Sequence, residues 1–315
     1  MSDPLDFTVP LWAWLALGGA IAVMLAIDLL AHRDDHEIGF REAALWSVAW
    51  IAVATAFGGV VAVVWGGEAS ATYFSAYLIE KALSVDNVFV FALVFTAFAV
   101  PARYQHRVLF WGVVGALGMR LALIFVGAGL LETFFWTAYV FGAFLIWTGW
   151  RMAFHDVEPD PERNVLVRLM RRVVPVSPRF HGNRFTVREG GRRAATLLLV
   201  ALVAIEATDL VFALDSVAAV LAITTNTFLV WASIAFAVLG LRALYFCLAG
   251  LMRRFVHLHY GLAVLLGVAG VKLILSETPV GKLPVWLTLL IIVGVLAVSI
   301  ASSLRATRGG GGPAT

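Results

Sequence analysis

Apolar runs long enough to cross a membrane recur nine times along this chain, at roughly 11–30, 43–64, 71–99, 108–131, 134–153, 194–224, 228–250, 256–276 and 284–304. A helix of about 20 residues covers the ~30 Å of a bilayer's hydrocarbon core, and a chain inside that core must satisfy its own backbone hydrogen bonds. The pattern therefore predicts an all-α polytopic membrane protein of about nine transmembrane helices. Composition agrees, with 61% of the 315 residues hydrophobic and 14% charged, far from the balance of a soluble domain. The third and sixth runs are long enough to contain a break.

Charge sets the expected orientation. Eighteen of the 23 lysines and arginines fall in the loops after spans one, three, five and seven or in the C-terminal tail, while the opposite loops hold only Lys282. Basic loops stay on the cytoplasmic side, so the N-terminus is expected outside and the C-terminus inside, in the plasma (inner) membrane. The same asymmetry explains the net charge of +3 and argues against a nucleic-acid partner. Met1 to Pro10 carries Asp3 and Asp6 and no basic residue, unlike a cleaved signal peptide. The single cysteine, Cys247, excludes an intramolecular disulfide and a multi-cysteine metal site. Between spans five and six, residues 155–193 read as a basic linker, with an amphipathic stretch at Val165–Arg172 suited to lying on membrane lipid.

Two spans carry carboxylates where hydrocarbon is expected: Glu80-Lys81-Ala82-Leu83-Ser84-Val85-Asp86-Asn87, and the run from Glu206 through Asp209 and Asp215 to Ser216. An ionised carboxylate at the bilayer centre costs at least ~2.5–3.5 kcal/mol, so a group of them needs a cation, a proton or a basic partner. At ~100° per residue, Glu80, Ser84 and Asn87 share one helix face. Asp209, Ala213 and Ser216 share the matching face of the other helix, with Asp86 and Asp215 about one step aside and Glu206 one turn before Asp209. Carboxylate, amide and hydroxyl oxygens, those of Ser84, Thr208 and Ser216 included, suit Mn²⁺, Ca²⁺ or Mg²⁺, whereas Cu(I) prefers sulfur and zinc would want a nearby histidine. Candidate metal ligands are Glu80, Asp86, Asn87, Asp209 and Asp215; Glu206 and Ser216 extend the ion pathway. Lys81, Arg120, Arg242 and Lys272, the basic residues inside spans, are candidate charge partners. No catalytic residue and no permanently bound cofactor is expected.

An internal repeat ties the two stretches together. Placing Asp86-Asn87 on Asp215-Ser216 also places Glu80 on Asp209; downstream, Leu117-Gly118-Met119-Arg120 falls on Leu239-Gly240-Leu241-Arg242, and Gly149-Trp150-Arg151 on Gly270-Val271-Lys272. Each unit has three helices, and an odd number puts the copies in opposite orientations, as in transporters whose substrate site lies between inverted repeats at the midplane. The implied organisation is two N-terminal helices (1–65), a first repeat (66–154), the linker (155–193), a second repeat (194–276), and a last helix with a flexible tail (277–315).

The stretches Tyr77–Phe91, Val100–Gly112 and Leu239–Phe246, with Arg41–Trp50 after the first span, closely resemble the TerC/Alx family of integral membrane proteins. The likeness runs from about Asp28 to Lys272. It implies membership of a larger group of exporters built on inverted three-helix repeats, and it implies associations with manganese export, with metal supply to secreted enzymes and, by historical name, with tellurium resistance. Two positions depart from the family's pattern: Ala218 where proline is usual after the second Asp-Ser, and Ile234 where asparagine is common after Ser233.

A plainer account has Glu80 paired with Arg120, and Asp209 or Glu206 with Arg242 or Lys272, as charge-neutral staples. On that account Asp28 is interfacial or paired with Arg33. The excess of carboxylates over in-span cations favours a pathway. An intramembrane aspartyl protease is disfavoured because neither Asp86 nor Asp215 sits in a Gly-x-Gly-Asp sequence. The functional expectation is a non-enzymatic exporter of a divalent cation, Mn²⁺ foremost, working by alternating access with protons as the counter-ion. The alternative is an accessory membrane protein, without transport, that docks on the secretion machinery.

Overall fold

A computed structural model describes residues 9–31, 38–126, 136–154, 175–177, 180–189, 192–221, 223–224, 226–254, 257–276, 278 and 284–309. The chain is helical almost throughout them. In order come α1 (Leu11–Ala31), α2 (Phe40–Trp65), α3 (Gly67–Ala97), α4 (Ala102–Val126), α5 (Trp136–Phe154), a hairpin of β1 (Thr186–Glu189) and β2 (Arg192–Ala195), α6 (Leu197–Leu221), α7 (Thr227–Leu239), α8 (Leu241–Arg254), α9 (Leu258–Ser276) and α10 (Val285–Gly309). Among the described residues, five segments are long and apolar enough to cross a membrane: Leu11–Leu30, Phe40–Trp65, Ala102–Phe125, Leu197–Leu214 and Thr227–Leu251, the last running through α7 and α8. The protein is an all-α integral membrane protein.

Burial divides the helices into two kinds. On α1 the buried residues are Ala13, Leu17, Ile21, Met24 and Asp28, a single stripe at three- and four-residue spacing, and on α2 they are Ala43, Trp50, Ala54, Gly58 and Val61. The remaining faces of both carry exposed Leu, Val, Ile and Trp, as lipid-facing helices do. By contrast α7 is buried from Phe228 to Leu239 without a polar face, and α3 is buried continuously from Asp86 to Phe95. A helix apolar all round belongs in the interior. These two form the centre, and α3, whose charged residues Glu68, Glu80, Lys81 and Asp86 keep it from reading as a simple span, carries the candidate site.

The third and sixth spans, long enough to contain a break, run continuously as α3 and α6; a break falls in the seventh, at Gly240 between α7 and α8. Its N–H turns back to Val238 O. Lys81 Nζ reaches across from α3 and donates to the Ala237 carbonyl at 3.2 Å, so a cation sits where the last carbonyls of α7 have lost their helical partners. A Cβ on Gly240 would lie 2.5 Å from that Nζ. Glycine leaves the space that Lys81 fills.

Close backbone approach also explains how α5 meets α9. A Cβ on Gly142 would lie 2.7 Å from Gly270 O, one on Gly270 2.5 Å from Gly142 O, and one on Gly149 2.5 Å from Ala263 O. Contacts that descend on α9 as they ascend on α5 make the pair antiparallel, and small residues are what lets membrane helices pack this tightly. Gly270→Ala is expected to destabilise by about 1–3 kcal/mol through overpacking. Gly118→Ala, where an added Cβ meets nothing within 4 Å, serves as the control. Thermal melting of the purified protein in detergent reads both, and equal melting temperatures would refute the close-packed seam.

The amphipathic stretch 165–172 lies outside the described residues. The described end of the linker forms the β1–β2 hairpin, which the sequence reading did not foresee, and Arg107 on α4 stacks over Phe185 just before it at 5.4 Å.

Candidate functional site

The site is assembled where α3, α4 and α6 meet. Arg120 of α4 is fully buried (0% exposed), and so is Glu80 of α3. The guanidinium donates through Nη1 to Glu80 Oε1, through Nη2 to Asp209 Oδ1 at 3.0 Å and through Nε to Asp209 Oδ2 at 3.3 Å. Asn87, two turns along the same helix face from Glu80, donates its Nδ2 to Asp209 Oδ1 at 2.9 Å. One guanidinium thus spans two carboxylates from different helices, and with all three groups ionised the cluster is short of one positive charge. A second pair adjoins it: Lys272 of α9 donates to Asp86 Oδ2 at 2.7 Å.

Four buried oxygens here have no hydrogen-bond partner among the described residues: Glu80 Oε2, Ser84 Oγ, Asn87 Oδ1 and Ser216 Oγ. All four residues line one cavity of about 10 Å³, with Leu83, Arg120, Phe212 and Lys272 completing its wall. That space suits one water molecule or a bare ion. Buried polar atoms without partners are uncommon and call for an explanation; four from two helices around one small space are a preformed set of oxygen donors. Carboxylate, amide and hydroxyl oxygens are the donor chemistry of hard divalent cations. With Arg120 and Lys272 bonded to the acids, no group of three or more His, Cys, Asp or Glu among the described residues is arranged to hold a metal. The arrangement is one in which the protein's own cations stand against the carboxylates.

The model of the integral membrane protein TerC family matches residues 65–310, which include every residue of this cluster. The chain belongs to the TerC family. An uncharacterized membrane protein of Myxococcus xanthus is 44% identical over 297 residues, covering 94% of this chain and 92% of that one. A protein of Escherichia coli K12 named "Putative membrane-bound redox modulator Alx" is 40% identical over 303 residues, 92% of each chain. A membrane protein of Rickettsia felis is 34% identical over 294 residues, 93% of this chain and 97% of that one. No solved structure matches.

In this TerC-family protein the candidate residues are not all alike in placement. Glu80, Asn87 and Ser216 line the cavity, Asp209 stands behind it bonded to Asn87 and Arg120, and Asp86 faces Lys272 beside it. Asp215 lies on α6, but its side chain is outside the described residues. Glu206 is half-buried and lays its carboxylate against the Gly115 backbone of α4, where any Cβ would strike it. Thr208, counted among the available hydroxyls, instead donates to Ile205 O at 2.8 Å on its own helix.

The charge partners sort differently from the staple account. Glu80 does pair with Arg120, but Asp209 shares the same guanidinium instead of taking Arg242 or Lys272. Arg242 pairs with Asp28 of α1 through both its carboxylate and, at 3.1 Å, its backbone carbonyl. Asp28 is therefore a buried partner of Arg242, 6% exposed; Arg33, the partner that the sequence suggested, lies outside the described residues. The signal was present in the sequence, because Asp28 falls on the same three- and four-residue stripe as Leu17, Ile21 and Met24.

Proposed function

We propose that this protein exports a divalent cation, Mn²⁺ foremost, from the cytoplasm across the inner membrane by alternating access, in exchange for protons. The observation that carries the reading is the set of four unpartnered oxygens around one ion-sized cavity, next to two carboxylates that share a single guanidinium. A cation entering the cavity would take Glu80 Oε2, Ser84 Oγ, Asn87 Oδ1 and Ser216 Oγ directly, and would recruit Asp209 as Arg120 withdraws. Protons compete for the same carboxylates, which couples metal and proton occupancy. The antiparallel seam of α5 on α9 is what inverted three-helix units would bring together, and the pairing of Asn87 with Asp209 maps under the repeat onto Ser216 with Glu80, both of which line the cavity. The cation is cargo and not a resident cofactor.

Redox modulation, as in the relatives' name, has no intramolecular dithiol to work through here, since Cys247 is the single cysteine. The test is Mn²⁺ uptake into inverted membrane vesicles, or into liposomes holding the purified protein. Uphill uptake is expected to follow an imposed pH gradient and to stop when a protonophore collapses it. Uptake undiminished by the protonophore overturns the proton coupling, and no uptake by purified, folded protein overturns transport and favours the accessory role.

A further inference from the structure

The two repeats are similar in sequence, but their arginines are used differently. Arg120 holds the Glu80–Asp209 pair; its repeat counterpart, Arg242, is held by Asp28, which belongs to α1 and so to neither repeat. We propose that Asp28 is a positioning residue that keeps Arg242 off the Glu80–Asp209 pair, and that Arg242 takes over that pair from Arg120 when the two repeats exchange conformations. This rests on the export reading above and names how its empty site is covered in each state.

The argument starts from the repeat itself. Glu80 and Asp209 are counterparts, so each is the other's image when the units trade places. The observed trio of Arg120, Glu80 and Asp209 then maps onto Arg242, Asp209 and Glu80. The carboxylates are the same two, and only the arginine has changed. In inverted-repeat transporters one repeat rocks against the other around a fixed site, and a motion that makes each unit take the other's conformation would hand an unchanged carboxylate pair from one guanidinium to the other.

Local geometry permits the handover. Arg242 is the second residue of α8, two positions beyond the break at Gly240, so a change of angle there re-aims its long side chain while shifting its Cα little. The break is already beside the site: Lys81, the neighbour of Glu80, donates to Ala237 O next to it. Around the Asp28–Arg242 pair, Ile38, Ala43, Trp46, Ala243 and Phe246 leave a cavity of about 10 Å³, so the guanidinium is not locked by close packing on every side.

Charge arithmetic gives the arrangement a purpose. Two carboxylates with one guanidinium leave a net attraction for a cation; with both guanidiniums they are neutral and attract none. A parking place for the idle arginine keeps the site from being neutralised twice. A simple interhelical staple between α1 and α8 would need no relation to Arg120 at all, and that difference can be measured.

In cation-free detergent, Arg120→Gln alone leaves Glu80 and Asp209 uncovered and lowers the melting temperature. Adding Asp28→Asn releases Arg242 to cover the pair, so the double variant is expected to melt several degrees above Arg120→Gln alone, one destabilising change suppressing another. A staple predicts the opposite, with two losses that add. The second measurement is a Mn²⁺ titration of full-length protein followed by the signal of free Mn²⁺. Asp28→Asn is expected to raise half-saturation about tenfold, like charges in one site being mutually costly. Asp28→Glu should behave as wild type, and Asp28→Asn/Arg242→Gln should return to within about twofold of it. If the Arg120 variants yield no folded protein, this titration decides alone. Additive melting losses, or an unshifted Mn²⁺ titration in Asp28→Asn, overturn the inference; wild-type protein that takes up no Mn²⁺ overturns the export reading instead, and the melting experiment still stands by itself.

Discussion

Arg120→Gln is expected to cost about 3–5 kcal/mol of stability in the absence of divalent cations, the usual loss when one member of a buried ion pair is removed, and millimolar Mn²⁺ is expected to restore much of it. The size follows from what Arg120 does. Its side chain is fully buried and its three donor nitrogens serve Glu80 and Asp209 together, so its loss strands two carboxylates from two helices. Glutamine can still donate one hydrogen bond but supplies no charge. A cation in the neighbouring cavity supplies the charge that glutamine lacks, and ligand that binds only the folded state adds RT ln(1 + [L]/Kd) to its stability. Because the guanidinium no longer competes, Mn²⁺ should raise the melting temperature of the variant more than that of the wild type. Arg120→Lys is expected to fall between them, since an ammonium keeps the charge but cannot fork across both acids. Mn²⁺ shifts that are equal in wild type and Arg120→Gln would mean that the arginine and the cation do not share a site.

Much of this architecture is legible before any coordinates, because each helix in hydrocarbon must be long and apolar and because charge there stands out. The stretches around Glu80–Asn87 and Glu206–Ser216 identify themselves that way, and helical periodicity alone places Glu80, Ser84 and Asn87 on the face that lines the cavity. What sequence does not carry is which cation meets which acid. Arg120, Arg242 and Lys272 are all credible partners for Asp209 by position along their helices, and only tertiary packing brings Arg120 to it and sends Lys272 to Asp86. The break at Gly240 is hidden for a related reason. Val238-Leu239-Gly240-Leu241 contains no proline and keeps its hydropathy, and a lone glycine is frequent in membrane helices, so the local signal is weak; further support comes from Lys81, 156 residues away on another helix. For Asp28, nearness to a span end suggests an interface, while its phase on the α1 stripe points inward to Arg242. The sequence repeat suggests equivalent roles for Arg120 and Arg242, and the structure gives them different partners.

The second large effect is expected at Asp209. It joins three helices, accepting from Asn87 of α3 and twice from Arg120 of α4 while it sits on α6. Asparagine there keeps the shape but turns an NH₂ toward groups that are themselves donors, and it removes the charge shared by the arginine and any cation. Outer-shell partners alone are worth about 10–100-fold in metal affinity, so on the export proposal, in which Asp209 joins the cation as Arg120 withdraws, its loss is expected to weaken cation binding by about 100-fold or more. In cells lacking other manganese exporters and grown under manganese stress, Asp209→Asn should retain as much manganese as cells without the protein, with calcium and iron unchanged. Asp86→Asn should also fail, by another route: Lys272 lines the same cavity, and without Asp86 its ammonium turns toward Glu80 and occupies the cation's place. A double variant, Asp86→Asn with Lys272→Gln, removes that competitor and should recover part of the export, whereas Asp209→Asn should not be rescued by any change at Lys272. Equal manganese levels with wild type and Asp209→Asn at matched expression would show that the carboxylates brace the helices and carry nothing through them.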